Sequence, residues 1–130
     1  KIVGADAVLL IAAALKPEKC NELVKKAHDL GLEVLLEIHS SEELTYINEK
    51  IDMVGINNRN LKDFTVDTDN SRRFREMIPP EILFVSESGI CSAEDVKRLR
   101  EIGTDAVLIG ETLMRSDDIA GTLHQLREGV

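Results

Sequence analysis

Met53-Val54-Gly55-Ile56-Asn57-Asn58-Arg59-Asn60-Leu61 runs a short apolar stretch straight into amides and a guanidinium. A strand covered on both faces reads as such an apolar run, the habit of parallel sheets. Polar side chains crowded at its carboxyl end stand where open and closed α/β sheets build their ligand sites. The pattern recurs upstream as Leu35-Leu36-Glu37-Ile38-His39 and downstream as Leu83-Phe84-Val85-Ser86-Glu87-Ser88-Gly89-Ile90. Several strands ending in polar chemistry on one side make a catalytic rim.

Outward from these strands, apolar runs alternate with amphipathic ones. Strands are predicted at residues 6–12, 32–38, 53–57, 82–86 and 105–110. Helices are predicted at 17–30, about 41–50, 67–77, 92–103 and 117–128. Pro17 opens the first helix and Gly31 lies just past its end, while Leu23, Ala27 and Leu30 supply an apolar stripe. Ser40 or Ser41 can cap the second helix, with Glu42 and Glu43 favoured in its first turn. Pro79-Pro80 blocks continuation of the third. Strand–helix alternation with short connections is the signature of a parallel sheet. Gly4-Ala5-Asp6-Ala7-Val8-Leu9 returns as Gly103-Thr104-Asp105-Ala106-Val107-Leu108, a helix-ending glycine leading into a strand each time. Shared βα-loop chemistry explains the echo better than duplication. It implies a helix before Gly4, and the chain opens on Lys1, so the reading is a chain that starts inside a larger protein. Eight βα units closed into a barrel need roughly 200–250 residues; the 130 here supply about five. The expected fold class is α/β with parallel βα repeats, whose five strands could form an open doubly wound sheet or part of a (β/α)8 barrel. Residues 1–130 make one domain, which as a barrel fragment would have two open parallel edges.

Composition narrows the partners. Apolar residues are 43% and charged ones 31% of the chain, with aromatics at only 3%, so the core is aliphatic. A net charge of −8 argues against nucleic acid, whose binding needs a basic face. No apolar run approaches the roughly 18–20 residues of a membrane span, and no signal peptide is read. Cys20 and Cys91 are far apart with no CxxC, which fits a reduced, cytoplasmic setting.

At the strand ends, Glu37 closes an aliphatic strand, an unusual place for a carboxylate. Burial at that carboxyl end suits it to proton transfer; a salt bridge to a neighbouring strand is the plainer alternative. Asn57 and Arg59 share a face by alternation. One offers a donor and an acceptor, the other a planar fork for carboxylate or phosphate. Asn58 and Asn60 read as turn residues. Ser86-Glu87-Ser88-Gly89-Ile90 and Leu108-Ile109-Gly110-Glu111-Thr112-Leu113-Met114 end the last two strands with small residues that let backbone approach a ligand. A short helix after Gly110 would expose N–H groups to phosphate, and barrels bind phosphate between just such loops. Glu111 would contribute its backbone N–H, its side chain turned away. His28 and His124 read as solvated. His39 follows Glu37 but lies past the strand's end. No metal-ligand spacing appears, no cofactor is expected, and Ser88 lacks a His–Asp set for nucleophilic hydrolysis.

The stretches DAVLLIAAAL, LEVLLEIH, VGINNRNLKDF, VSESGI and DAVLIGETLM, in that order, make the chain resemble the carboxyl-terminal portion of the indole-3-glycerol phosphate synthase family. GINNRNL with VSESGI is the specific part; the single glycine motifs are shared with other phosphate-binding barrels. The resemblance implies a (β/α)8 barrel covered from its fourth strand to its eighth helix, so that residues 1–130 form a single partial barrel domain lacking the first three βα units. It implies a carboxy-lyase of tryptophan biosynthesis, acting on 1-(2-carboxyphenylamino)-1-deoxyribulose 5-phosphate by ring closure, decarboxylation and dehydration. It further implies that Glu37 assists proton transfer, that Asn57 positions the reacting part of the substrate, and that Glu87 is a rim carboxylate paired with catalytic amines. Leu9 and Ile11 would form an apolar wall, and Arg59 and Leu61 would shape the pocket. Ser88, Gly89, Gly110 and Glu111 would hold the phosphate. The family's general-acid lysine lies on the third strand, and a second lysine with its glutamate in the first βα region. Neither segment is in this chain, so it is expected to lack activity alone. Two other readings stand beside this one: another phosphate-sugar barrel enzyme such as an isomerase, or a non-catalytic half-barrel that binds phosphate and self-associates through its edges. Fusion to, or association with, other tryptophan-pathway domains is a further partner expectation.

Overall fold

Runs of valine, leucine and isoleucine favour extended backbone where neighbouring strands and a helix layer can cover them. In the computed structural model, which describes residues 2–59 and 69–130, these runs form five strands: β1 (Ala7–Ile11), β2 (Glu33–Ile38), β3 (Met53–Asn57), β4 (Leu83–Glu87) and β5 (Ala106–Leu108). All pair in parallel, in the order β1-β2-β3-β4-β5. The helices are α1 (Pro17–Asp29), α2 (Asp69–Arg75), α3 (Ala93–Glu101), the short α4 (Glu111–Met114) and α5 (Ile119–Arg127). The expected five-unit parallel α/β architecture is what the chain adopts.

The register explains the two faces. Val34, Leu36, Ile38, Val54, Ile56 and Phe84 alternate onto one face and are completely buried. They pack with Cys20, Val24 and Ala27 of α1 into the main core. A second cluster joins Ile90, Val96, Leu99 and Leu126, tying α3 to α5. The opposite face carries Leu9, Leu35, Met53, Leu83 and Leu108 at its apolar positions and Glu37, Asn57 and Glu87 at its carboxyl end. This is the concave side, and its apolar members stay open: Leu9, Leu83 and Leu108 are 45%, 52% and 49% exposed.

An aspartate placed just before a strand serves as a repeated bracket. Asp52 Oδ2 accepts the Val34 N–H, and Asp105 Oδ2 accepts the Phe84 N–H, both at 2.8 Å. Gly4 and Gly103, which open the two echoing segments, share a positive φ of 75° and 81°. That common turn is the physical content of the echo.

Several details differ from the sequence reading: the first strand stops at Ile11, where Ala12–Ala14 forms a 3₁₀ turn, and the fifth stops at Leu108. The stripe of α1 is centred on Cys20, Val24 and Ala27; Leu23 only flanks it, and Leu30, at the C-cap, is exposed. Residues 41–50 do not form an α-helix. Ser41–Tyr46 is a 3₁₀ helix, because Leu44 and Ile47 pack three residues apart and Asn48 Oδ1 accepts the Lys50 N–H, a local turn that ends the coil. The third helix is described from Asp69 to Arg75, shorter at its end than the predicted 77. Residues 67 and 68, predicted to begin it, lie outside the described residues. Cys20 is buried and Cys91 exposed, both as free thiols.

Candidate active site at the strand ends

The parallel register sets Glu37 beside Gly55, and Asn57 beside Glu87, on adjacent strands. Glu37 and Glu87 are 4% and 3% exposed. Gly55 makes this packing possible: a Cβ there would overlap the Glu87 carboxyl and stand 3.2 Å from Leu35 Cδ1. The strand's one glycine is thus a cradle for a neighbouring carboxyl, a role that the sequence reading did not assign. A small residue inside an apolar strand was the available signal.

Two carboxyls this close cannot both ionise freely. Burial first, then the negative charge of Glu37 and a hydrogen bond with it, push the Glu87 carboxyl up to about 8. Around neutral pH Glu87 therefore holds a proton and Glu37 has a partner to share it. Glu87 Oε1 is buried with no hydrogen-bond partner among the described residues, so a donor arriving on the concave face would find an unsatisfied acceptor.

Asn57 spends both ends of its amide here. Its Nδ2 donates to Glu37 Oε1 at 3.3 Å, and its Oδ1 accepts the Arg59 N–H at 3.0 Å. One side chain thus orients the carboxylate and the start of the following loop. His39, placed past the strand's end, comes closer to Glu37 than its position suggests: its Nε2 stands 3.0 Å from Glu37 Oε1. Glu43 accepts the His39 N–H at 2.7 Å, holding that turn. His28 is not simply solvated either, since Nε2 pairs with Asp52 at 2.9 Å.

Beyond the carboxylates, the ends of β4 and β5 border a cleft of about 960 Å³ whose lining includes Arg59, Ser88, Gly89, Gly110, Glu111 and Arg115. Ser88 and Gly89 both take positive φ, 67° and 72°. The structure brings Ser88, Gly89, Gly110 and Glu111 together at one opening, as the order of the last two strand ends suggested. Glu111 departs from expectation in its side chain, which is not turned away. Its carboxylate pairs with the Arg59 guanidinium and, at 2.9 Å, with Arg115. Leu9 and Ile11 sit on β1 in register with Leu35 and Glu37, on the carboxylates' side of the sheet. Leu61 and Asn60 lie outside the described residues.

Asn58 overturns its reading as a turn residue. It is 3% exposed, and its amide bonds to Ser86, Ser71 and the Ser88 carbonyl. Consecutive residues at a strand end point to opposite faces, so Asn57 serves the concave side and Asn58 the helix layer.

Fold and site together define a class: a parallel βα barrel wall whose strand ends combine a buried carboxyl pair with a glycine-lined, arginine-edged cleft. Comparison with known proteins makes this particular. Residues 1–126 match the family model for indole-3-glycerol phosphate synthase. The chain is similar to the indole-3-glycerol phosphate synthase of Bacteroides thetaiotaomicron, 60% identical over 130 residues, covering all of this chain and 50% of that one. It is 48% identical over 128 residues to that of Leuconostoc mesenteroides subsp. mesenteroides, covering 98% of this chain and 49% of the relative. The chain belongs to the indole-3-glycerol phosphate synthase family, and it spans about half the length of the curated relatives it matches. Among solved structures, 3-hexulose-6-phosphate synthase from Salmonella typhimurium superposes with a TM-score of 0.81 at 17% identity, covering 98% of this chain and 63% of that one. At that identity the likeness is one of fold.

Proposed function

We propose that this chain forms one wall of an active site that makes indole-3-glycerol phosphate, with loss of carbon dioxide and water, from 1-(2-carboxyphenylamino)-1-deoxyribulose 5-phosphate. The reaction is that of a carboxy-lyase in the cytoplasm, without metal or cofactor. The observation that carries the reading is the buried Glu37, held by Asn57 and set against a protonated Glu87 across Gly55. A carboxylate with a neighbouring proton store suits a sequence in which a ketone is activated, a ring closes and water leaves, each step needing a proton moved. Glu37 assists those transfers, Asn57 positions the reacting part of the substrate, and Glu87 is the rim carboxyl that meets catalytic amines. Leu9 and Ile11 provide the apolar wall of the pocket, which Arg59 and Leu61 shape. Gly89, Gly110 and Glu111 offer backbone N–H groups to the phosphate beside Ser88, whose own N–H is held by the Leu108 carbonyl, and Arg59 leaves the Glu111 carboxylate to meet the incoming anion. The general-acid lysine that the family uses belongs to earlier βα units, so residues 1–130 form a single partial domain with little activity alone.

Two assays test this. The purified 130-residue chain should form no indole-3-glycerol phosphate above background, and turnover at the rate of a full-length relative would overturn that part. Joined to the amino-terminal half of the Bacteroides thetaiotaomicron relative, it should form product. Glu37→Gln in the joined protein should then lower kcat by about 10²-fold or more. An unchanged kcat would remove Glu37 from the mechanism.

A further inference from the structure

Outside the carboxyl pair lies a polar ring around Asn58, which none of the assigned roles uses. Asn58 of the loop after β3, Ser71 of α2 and Ser86 of β4 are all buried, and their polar atoms meet within 3.0 Å. Their protons can be ordered in one way. Ser71 Oγ donates to Asn58 Oδ1 at 2.9 Å. Its single proton is then spent, so the 2.8 Å contact between the hydroxyls requires Ser86 to donate to Ser71. Ser86 Oγ in turn accepts from Asn58 Nδ2 at 3.0 Å. The ring closes head to tail, an arrangement in which each bond polarises the next.

One proton is left over: the second on Asn58 Nδ2, and it goes to the Ser88 carbonyl at 3.1 Å. Flipping the amide would set Oδ1 against that carbonyl, acceptor against acceptor, so the Ser88 carbonyl fixes which end of Asn58 it meets and with it the sense of the ring. The Asn58 N–H adds a bond to the Glu87 carbonyl at 2.8 Å. Ser88 needs such holding. Among the described residues it is the one residue other than glycine at positive φ, a conformation that costs an L-residue about 1 kcal/mol or more.

The Ser88–Gly89 peptide is trans, so its carbonyl and N–H point in opposite directions. Tying the Ser88 carbonyl inward to Asn58 turns the Gly89 N–H outward, and Gly89 lines the anion cleft. We propose that Asn58 is a positioning residue that, through its ring with Ser71 and Ser86, holds the Ser88–Gly89 peptide with its N–H aimed at the phosphate of the substrate. The proposal deepens the phosphate site described above and rests on that reading. It also joins the two halves of the site: Asn57 steers the carboxylate, and its neighbour steers the anion loop, from one strand end.

The test is done on the ¹⁵N-labelled 130-residue chain with two readouts, the N–H residual dipolar coupling of Gly89 and titration with inorganic phosphate. Asn58→Ala should change the Gly89 coupling while those of β2 and α1 stay, and should weaken phosphate binding about tenfold. Ser71→Ala, which removes the bond to Oδ1 and the acceptor of the Ser86 proton but leaves the Asn58 bond to the Ser88 carbonyl, should weaken it about threefold and carries the test if Asn58→Ala does not fold. A folded Asn58→Ala chain that keeps the wild-type Gly89 coupling overturns the proposal, whatever its melting temperature. Should the wild-type chain bind no phosphate while Asn58→Ala still shifts the Gly89 coupling, the positioning role stands and the phosphate reading falls.

Discussion

Glu87 is the side chain whose chemistry depends most on its surroundings. Its carboxyl is pushed up to about 8 by burial and by Glu37, so the folded chain binds this proton far more tightly than an unfolded one does. Stability therefore gains nothing below the ordinary glutamate range, where both states hold the proton. It falls as pH rises from about 4.5 toward about 8, where only the folded state does. The slope is at most about 1.4 kcal/mol per pH unit. Urea denaturation at stepwise pH should show this decline for the wild-type chain, and Glu87→Gln should flatten it. A wild-type curve as flat as that of the variant would mean that the two carboxyls do not share a proton. Glu37 was legible as a candidate because a carboxylate ends an aliphatic strand. The tuning of Glu87 was not, because it depends on Gly55 leaving room one strand away.

Among the elements, α3 has the most complete local design. Ser92 accepts the Asp95 N–H at 3.2 Å, and Asp95 Oδ2 accepts the N–H groups of Ser92 and Cys91 at 2.9 and 3.0 Å. This capping box starts the helix and also anchors the residue that follows the Ser88–Gly89 turn by two positions. Ser92→Ala should cost about 1 kcal/mol in urea denaturation; a loss below a few tenths would mean that the cap is dispensable. Such a start was readable from Ser92-Ala93-Glu94-Asp95, since it lies within four residues. The 3₁₀ helix at Ser41–Tyr46 was not. Its Tyr46 hydroxyl donates to the Leu15 carbonyl at 2.7 Å, a contact 31 residues distant that helps set the coil.

At the level of the molecule, the sheet is covered on one side. The helix layer buries Val34, Leu36, Val54 and Phe84 completely, while Leu9, Leu83 and Leu108 face outward from the concave side. Among the described residues, β1 and β5 each pair on one edge. Exposed apolar surface beside unpaired parallel edges favours association. Light scattering of the 130-residue chain should show a mass that rises with concentration, and the double variant Leu9→Glu, Leu83→Glu should suppress the rise. A wild-type mass that stays monomeric across the range would show that the concave face tolerates water. No helix among the described residues is long and apolar enough to cross a membrane.

Periodicity settled the local questions: where strands and helices fall, that the strands run parallel, and that Glu37, Asn57, Ser88 and Gly110 stand at strand ends. These follow from alternation and caps acting over a few residues. Register decided the rest. Only pairing across strands sets Glu87 over Gly55 and brings Glu111 to Arg59, whereas the Glu37–His39 and Glu111–Arg115 pairs lie two and four residues apart. Asn57 and Asn58 show the division most clearly. They are the same residue type in adjacent positions, and alternation puts them on opposite faces without saying what each face meets. The sheet decides that, because one faces the open concave side and the other the buried helix layer, where an amide must satisfy every hydrogen bond.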